Sequence, residues 1–413
     1  MKLQIQTAQL STELETLASF SEAAAPAVTR VVFSETDRQA RQYVKRLCAD
    51  AGLAIREDAV GNTFARWAGS EPGLAAVATG SHIDAIPNAG RYDGTVGVLG
   101  GLEAIRALQR SGFRPRRSIE LVIFTSEEPT RFGIGCIGSR LMAGVLDAAA
   151  DTGLVGKDGE TLNHWRTAAG FSGHLASVRL AQGHYAAFME LHIEQGPLLE
   201  SAGIPLGVVT AIAAPASLRI RIEGEGGHAG AVLMPARKDA FCAAAELVLT
   251  VERAAKSTGA IDTVATVGVC EVFPGAINSI PSDVRLEVDV RDTNEARRDA
   301  VLAQIHDACA DVARRRGVAV KTETINADRP AQCDTRVVEA LTRACAAHRL
   351  GFQTMVSRAY HDSLFMSRIA PTAMLFIPCR GGVSHRPDEY ASAEAIACGV
   401  LALAETLADL ASE

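Results

Sequence analysis

Two largely apolar runs end abruptly in ionisable residues, and they constrain the fold more than any other feature of the chain. IELVIFT, over Ile119–Thr125, is followed by Ser126-Glu127-Glu128, and AAFMEL, over Ala186–Leu191, runs into His192-Ile193-Glu194. Runs of this kind suit strands covered on both faces. A third run, Leu74–Thr79, ends in Gly80-Ser81-His82. Between the runs lie helical patterns. Asp37–Ala51 is stopped by Gly52, and Gly94–Arg110 repeats Val98, Leu99, Leu102, Ile105 and Leu108 at helical spacing. This alternation predicts an α/β domain built on a parallel or mixed sheet.

The pattern changes over residues 214–328. Leu218, Ile220 and Ile222 alternate with Arg219, Arg221 and Glu223, and Val284, Leu286, Val288 and Val290 alternate with Arg285, Glu287, Asp289 and Arg291. Both read as half-buried strands. Helices at Ala236–Lys256 and Glu295–Arg316 and strands at Thr263–Val272 and Val318–Ile325 complete the order β-α-β-β-α-β. That is the split βαβ unit of ferredoxin-like α+β domains. The first pattern then resumes with a helix at about 335–348, a strand at Ala373–Ile377 and a helix at Ala393–Leu410. Residues 1–213 and 329–413 are therefore expected to form one α/β domain, 214–328 an insertion, and Gly207–Pro215 a hinge.

Lys and Arg number 41 and Asp and Glu 48, for a net charge of −7, which leaves no basic face for nucleic acid. The run Arg314–Arg316 closes a helix, where cations suit the macrodipole. No stretch approaches the ~18 uninterrupted apolar residues of a membrane span, and the N-terminus lacks a signal-peptide pattern. Nine cysteines, with no C-x-x-C pair, read as reduced thiols acting as small core residues. A cytoplasmic protein with neither membrane nor nucleic-acid partners is expected.

Sites in open α/β sheets form beyond the carboxyl ends of strands. His82-Ile83-Asp84, Glu127-Glu128 and His192-Ile193-Glu194 all follow apolar runs, Asp93 opens the Gly94 helix, and Ser384-His385-Arg386-Pro387 follows the last strand. Imidazoles and carboxylates without thiolates suit Zn²⁺ or Mn²⁺ at an open, catalytic site. Adjacent residues on an extended backbone point apart, so one carboxylate of the Glu pair can bind metal while the other acts as a general base. Singly, each piece has an ordinary reading: a core histidine, a surface Glu pair, an Asp N-cap. From the residues alone, a metal site and this ordinary reading stand side by side. Gly133-Ile134-Gly135-Cys136-Ile137-Gly138 matches G-x-G-x-x-G, but seven residues including two carboxylates separate it from the strand, against a dinucleotide site. His164, His174 and His184 lie in polar stretches and read as surface residues, and His306 and His348 read as structural.

Longer segments carry a resemblance. GSHIDAIPNAGRYDGTVGVLGGLEA, TSEEPTRFGIGCIGSRLMAG, ELHIEQGP, GEGGHAG, the segments around Asn278 and Arg291, and SHRPDEY look like the hydantoinase/carbamoylase amidase family over residues ~30 to ~395. The resemblance implies a dinuclear hydrolase with two divalent ions, Mn²⁺ or Zn²⁺, per subunit. His82, Asp93 and His192 would hold one ion, and Asp93, Glu128 and His385 the other. Glu127 would be the general base, and Asp84 would orient His82. His192 stands where related exopeptidases carry an acidic residue. Gln195, Asn278 and Arg291 would bind substrate, and His228 would stabilise the developing oxyanion. The inserted domain would serve as a lid and a homodimer interface, with His228 entering the neighbouring subunit's site.

Within the family, TSEEPTRFG, YDGTVGVLG and SRAYHDSLFMSRIAPTAMLFIPCRGGVSHRPDEY are most similar to the branch that acts on ureidoglycolate. Pro129 follows the Glu pair where the N-carbamoyl-L-amino-acid and allantoate branches more usually have Glu-Gly, and Tyr360 stands before His361-Asp362 where they more usually have a small residue. Tyr360 and His361 would then line a short pocket for a small ureido acid, with Tyr360 as mere packing the alternative. Hydrolysis of N-carbamoyl-L-amino acids or allantoate is the second reading. An exopeptidase or a non-catalytic carboxylate binder is a more distant one.

Overall fold

Side chains along Ile119–Phe124 go alternately to two apolar clusters: Ile119, Leu121 and Ile123 to one, Val122 and Phe124 to the other. Both faces of the sheet are therefore covered, as unbroken apolar runs require. In this computed structural model, which describes residues 3–148 and 153–413, the sheet belongs to a unit that holds the chain up to Thr210 with Cys333–Ser357 and His361–Glu413. Its four central strands, Thr372–Ile377, Tyr185–Ile193, Ala76–His82 and Ile119–Phe124, run parallel in that order. Leu206–Ile212 pairs antiparallel outside the first, and Thr63–Trp67 then Ala54–Glu57 outside the last. The sheet is mixed.

One face is covered by Thr7–Ser19, Glu35–Asp50, Thr95–Arg110, Thr335–Ala347 and Ala393–Ser412, which bury Leu14, Val44, Leu102, Leu341 and Leu403. The other is covered by shorter pieces, including Ile137–Met142 and Asp362–Met366. Ala393–Ser412 is long and apolar enough by composition to cross a membrane, yet much of it is buried in the first cluster. Strand Ala76–His82 outlasts the expected Leu74–Thr79 run because its parallel partner continues, pairing His82 with Phe124.

The second unit comprises Ala211–Gln332 with Arg358–Tyr360. Its antiparallel sheet has the order Val264–Phe273, Asp283–Asp292, Ala214–Glu223, Ala319–Ala327. Ala240–Ser257 and Glu295–Arg316 bury Leu247, Val251, Val301 and Ile305 against Leu218, Ile220, Leu286 and Val288. This is the split βαβ topology, with both helices on one face. A two-residue ladder, Gly227–His228 with Ser279–Ile280, stands apart from that sheet.

All nine cysteines are free thiols. Five are buried, but Cys242 and Cys270 are exposed, so the expectation of core thiols fails for those two: Cys242 lies on the uncovered side of an amphipathic helix and Cys270 on an edge strand.

Candidate active site

Three parallel strand ends and two loops converge on Asp93. His82 is the last residue of its strand, His192 the last but one of Tyr185–Ile193, and Glu127-Glu128 come just after Phe124. Asp93 Oδ1 lies 3.1 Å from His192 Nε2 and 3.5 Å from His82 Nε2, and Oδ2 lies 3.1 Å from His385 Nε2. Glu128 Oε1 is 3.4 Å from His385 Nε2. Two ligand groups follow, His82–Asp93–His192 and Asp93–Glu128–His385, sharing Asp93. Asp93 is not the helix N-cap that its position suggests. Gly94 takes that place at φ +67°, with no side-chain cap. Gly94 is required there, because a Cβ would lie 2.5 Å from the His82 ring.

Nδ1 of His82 faces the backbone carbonyl of Asp84 at 3.0 Å, and Nδ1 of His192 that of Ile193 at 2.8 Å. Each ring donates from Nδ1 and turns Nε2 toward Asp93, the tautomer a metal ligand needs. Asp84 orients His82 through this carbonyl, since its carboxylate is 3.7 Å from the ring. That carboxylate accepts the N–H groups of Glu127 (3.3 Å) and Glu128 (3.1 Å), fixing the Glu pair instead.

The charges call for a cation. Burial together with Asp93 pushes Glu128 up to about 8, and burial and Glu128 also push Glu127 well above the carboxylate range. Burial pulls His82 down, but Glu127 and Asp93 outweigh it and hold it well above its usual value. The Asp93 hydrogen bond lifts His385 to about 9. Buried carboxylates thus draw protons onto themselves and the imidazoles. A divalent cation supplies the same compensation with oxygen and nitrogen ligands of suitable type, so the residues fit two metal ions.

Glu127 belongs to neither ligand group. Its Oε2 is 3.7 Å from His82 Nε2, and Oε1 accepts from the Cys136 thiol at 3.5 Å. Gln195, expected at the substrate, donates to Asp93 Oδ2 at 2.8 Å. His361 is buried with its ring centroid 4.4 Å from that of His192. Ser126, Cys136, Gln195 and His385 all have φ between 56° and 58°. Left-handed backbone at four non-glycine residues is strain held in place by the surrounding packing.

The remaining residues lie in the second unit. His228 and Asn278 are exposed and adjacent, since Ala229 N–H donates to the Asn278 carbonyl at 2.8 Å and His228 pairs with Ser279. Arg291 is half-buried, paired with Asp289 at 2.7 Å and lying 5.6 Å from the Tyr360 ring centroid. His164, His174 and His184 are exposed, as expected.

Sequence reasoning missed Cys136, Glu190, Asp362, Ser384 and Glu389. Glu190 is fully buried in a strand and accepts from Ser81 and Ser363. Asp362 accepts from Ser139. Only the SHRPDEY segment signalled Ser384 and Glu389, and it gave them no role.

The chain belongs to Peptidase family M20/M25/M40, whose pattern matches residues 78–409. Within that family it is 55% identical to a ureidoglycolate hydrolase of Oryza sativa subsp. japonica, covering 97% of this chain and 84% of that one. It is 53% identical to a ureidoglycolate hydrolase of Arabidopsis thaliana, covering 99% and 87%. The crystal structure of AtUAH in complex with glyoxylate superposes with a TM-score of 0.92 at 53% identity, over 100% of this chain and 99% of that one. The hydantoinase/carbamoylase resemblance is borne out.

Proposed function

We propose that the protein is a dinuclear metal-dependent amidohydrolase that cleaves the C–N bond of a small ureido carboxylate, with ureidoglycolate as its substrate. The observation that carries this reading is Asp93, the carboxylate common to two His/carboxylate groups, with the uncommitted Glu127 beside them. The ureidoglycolate hydrolases at 53–55% identity support the substrate.

His82, Asp93 and His192 would hold one ion, and Asp93, Glu128 and His385 the other, either Mn²⁺ or Zn²⁺. Bound there, divalent ions would polarise the scissile carbonyl and acidify the attacking water. Glu127 takes the proton from that water and returns it to the leaving nitrogen. Its burial raises its proton affinity, which favours proton uptake by such a base. Arg291 grips the substrate carboxylate with its planar fork, backed by Tyr360, while Asn278 donates to the substrate. His228 stabilises the oxyanion. Gln195, beside Asp93, and His361, beside His192, contact the substrate as well.

Residues 214–328 act as a lid and as the interface of a homodimer, through which His228 serves the neighbouring site. Support comes from the apolar residues exposed near His228, namely Leu233, Met234 and Ile277. The protein works in the cytoplasm, in keeping with its free thiols. Ammonia release from ureidoglycolate, allantoate and N-carbamoyl amino acids, before and after chelation and with Mn²⁺ or Zn²⁺ added back, tests the proposal. Ureidoglycolate should be turned over fastest and only with metal. Full activity in metal-free protein would overturn it.

A further inference from the structure

Glu389 has no part in the reaction as derived above, yet it is one of the most heavily engaged buried carboxylates near the site. It is 4% exposed. Its Oε1 accepts the N–H of Tyr92 at 2.8 Å and that of Asp93 at 3.1 Å. Its Oε2 lies 2.8 Å from the Ser384 hydroxyl, which also lies 2.9 Å from Asp93 Oδ2. The backbone of the 90–93 segment comes so close that a Cβ on Gly90 would sit 2.3 Å from Glu389 Cβ and 2.4 Å from Cδ. Beside this contact the rings of Tyr92 and Tyr390 meet edge to face, with centroids 6.0 Å apart.

These contacts join two loops that share one task. The first carries Asp93 and the second carries His385. Among the five ligand candidates His385 is the only one that is exposed, with half its side-chain surface open, and its backbone is left-handed at φ 58°. An exposed ligand in a strained loop does not hold its own place. Glu389 sits four residues beyond it, tied to the main chain of the segment that bears its metal-binding partner.

We infer that Glu389, acting through Ser384 and the Tyr92 and Asp93 amides, is a positioning residue that sets the distance between Asp93 and His385. It thereby determines retention of the ion held by Asp93, Glu128 and His385, and matters less to the ion that His82 and His192 hold together with Asp93. The inference rests on the two-metal reading above. The selectivity follows from the geometry, because His82 and His192 are anchored separately by their own strands and Nδ1 hydrogen bonds.

The experiment is metal content per subunit after dialysis, with competition against a chelator, on Mn²⁺- or Zn²⁺-loaded protein. Wild type should retain two ions. Glu389→Ala should retain one, with the second bound roughly 10–100-fold more weakly, the usual scale for losing the partner of a ligand. Glu389→Gln should restore the second ion, since its amide oxygen still accepts both N–H groups and its NH₂ donates to Ser384. Gly90→Ala and Ser384→Ala, each checked by circular dichroism for an intact fold, should weaken the same ion. Two equally tight ions in Glu389→Ala, or equal weakening of both ions in any correctly folded variant, would overturn the inference. Fewer than two ions in wild type would overturn the two-metal reading, and this inference with it.

Discussion

The ligand cluster and the His228–Asn278 pair both present imidazole beside polar side chains, but under opposite conditions. His82, His192, Asp93 and Glu128 are buried, held by strand ends and backbone amides, and share one carboxylate. His228 stands on a two-residue ladder at the surface, and the exposed Asn278 directly precedes that ladder's second strand. Buried charges are tolerable only when their partners are fixed in advance, so the cluster can be precise without waiting for substrate. Exposed groups cost little to display but are poorly oriented until something covers them. The contrast separates metal chemistry, built into one unit, from substrate recognition, which we assign to the other.

The sharpest way to break this division is at the Glu pair. Glu127→Gln should keep both ions and lower turnover by roughly 10²–10⁴-fold, the scale of a general base. Glu128→Gln should lose metal. Turnover and metal content measured side by side decide it: parallel behaviour of the two variants would abolish the distinction. His228→Ala should lower kcat by roughly 10²–10³-fold, as for a lost oxyanion donor, while metal content stays unchanged. Mixing His228→Ala with Glu127→Gln protomers should regain activity if His228 serves the neighbour. No recovery in verified mixed dimers would confine it to its own subunit.

The buried half of the comparison was largely legible in the sequence. Unbroken apolar runs mark central strands, and ionisable residues at their ends mark where chemistry collects. The helical and period-two patterns likewise located the two packing layers of residues 214–328. What escaped has physical reasons. Glu389 and Ser384 meet Asp93 from nearly 300 positions away, the first at its backbone amide and the second at its carboxylate, and no local pattern records such pairing. Ser126 and Cys136 matter through left-handed backbone, which side-chain identity does not announce outside glycine. By its local pattern Asp93 looks like a cap because it precedes a helix, and the approach of three imidazoles shows what that pattern does not.

Two smaller effects sharpen the comparison. Arg291→Ala should raise KM for ureido acids by roughly 10–100-fold, since a charge-assisted contact contributes about 1.5–3 kcal/mol. An analogue lacking the carboxylate should show no such change in steady-state kinetics. Finally, a cation entering the Asp93–Glu128–His385 group must displace protons from Glu128, at about 8, and His385, at about 9. Its affinity should therefore rise with pH, by about tenfold per unit between 8 and 9 and more steeply below 8, and level off above 9. Chelator competition across that range would show it, and a flat profile would mean that these protons are not released on binding.

Strand Tyr185–Ile193 gives Leu191 and Ile193 to one apolar cluster and carries His192 between them. The two destinations are one residue apart. Deleting or inserting a single residue early in this strand would deliver a leucine or isoleucine to the ligand position and an imidazole to the oily side. The reading frame of the strand against its neighbours is thus itself part of the site.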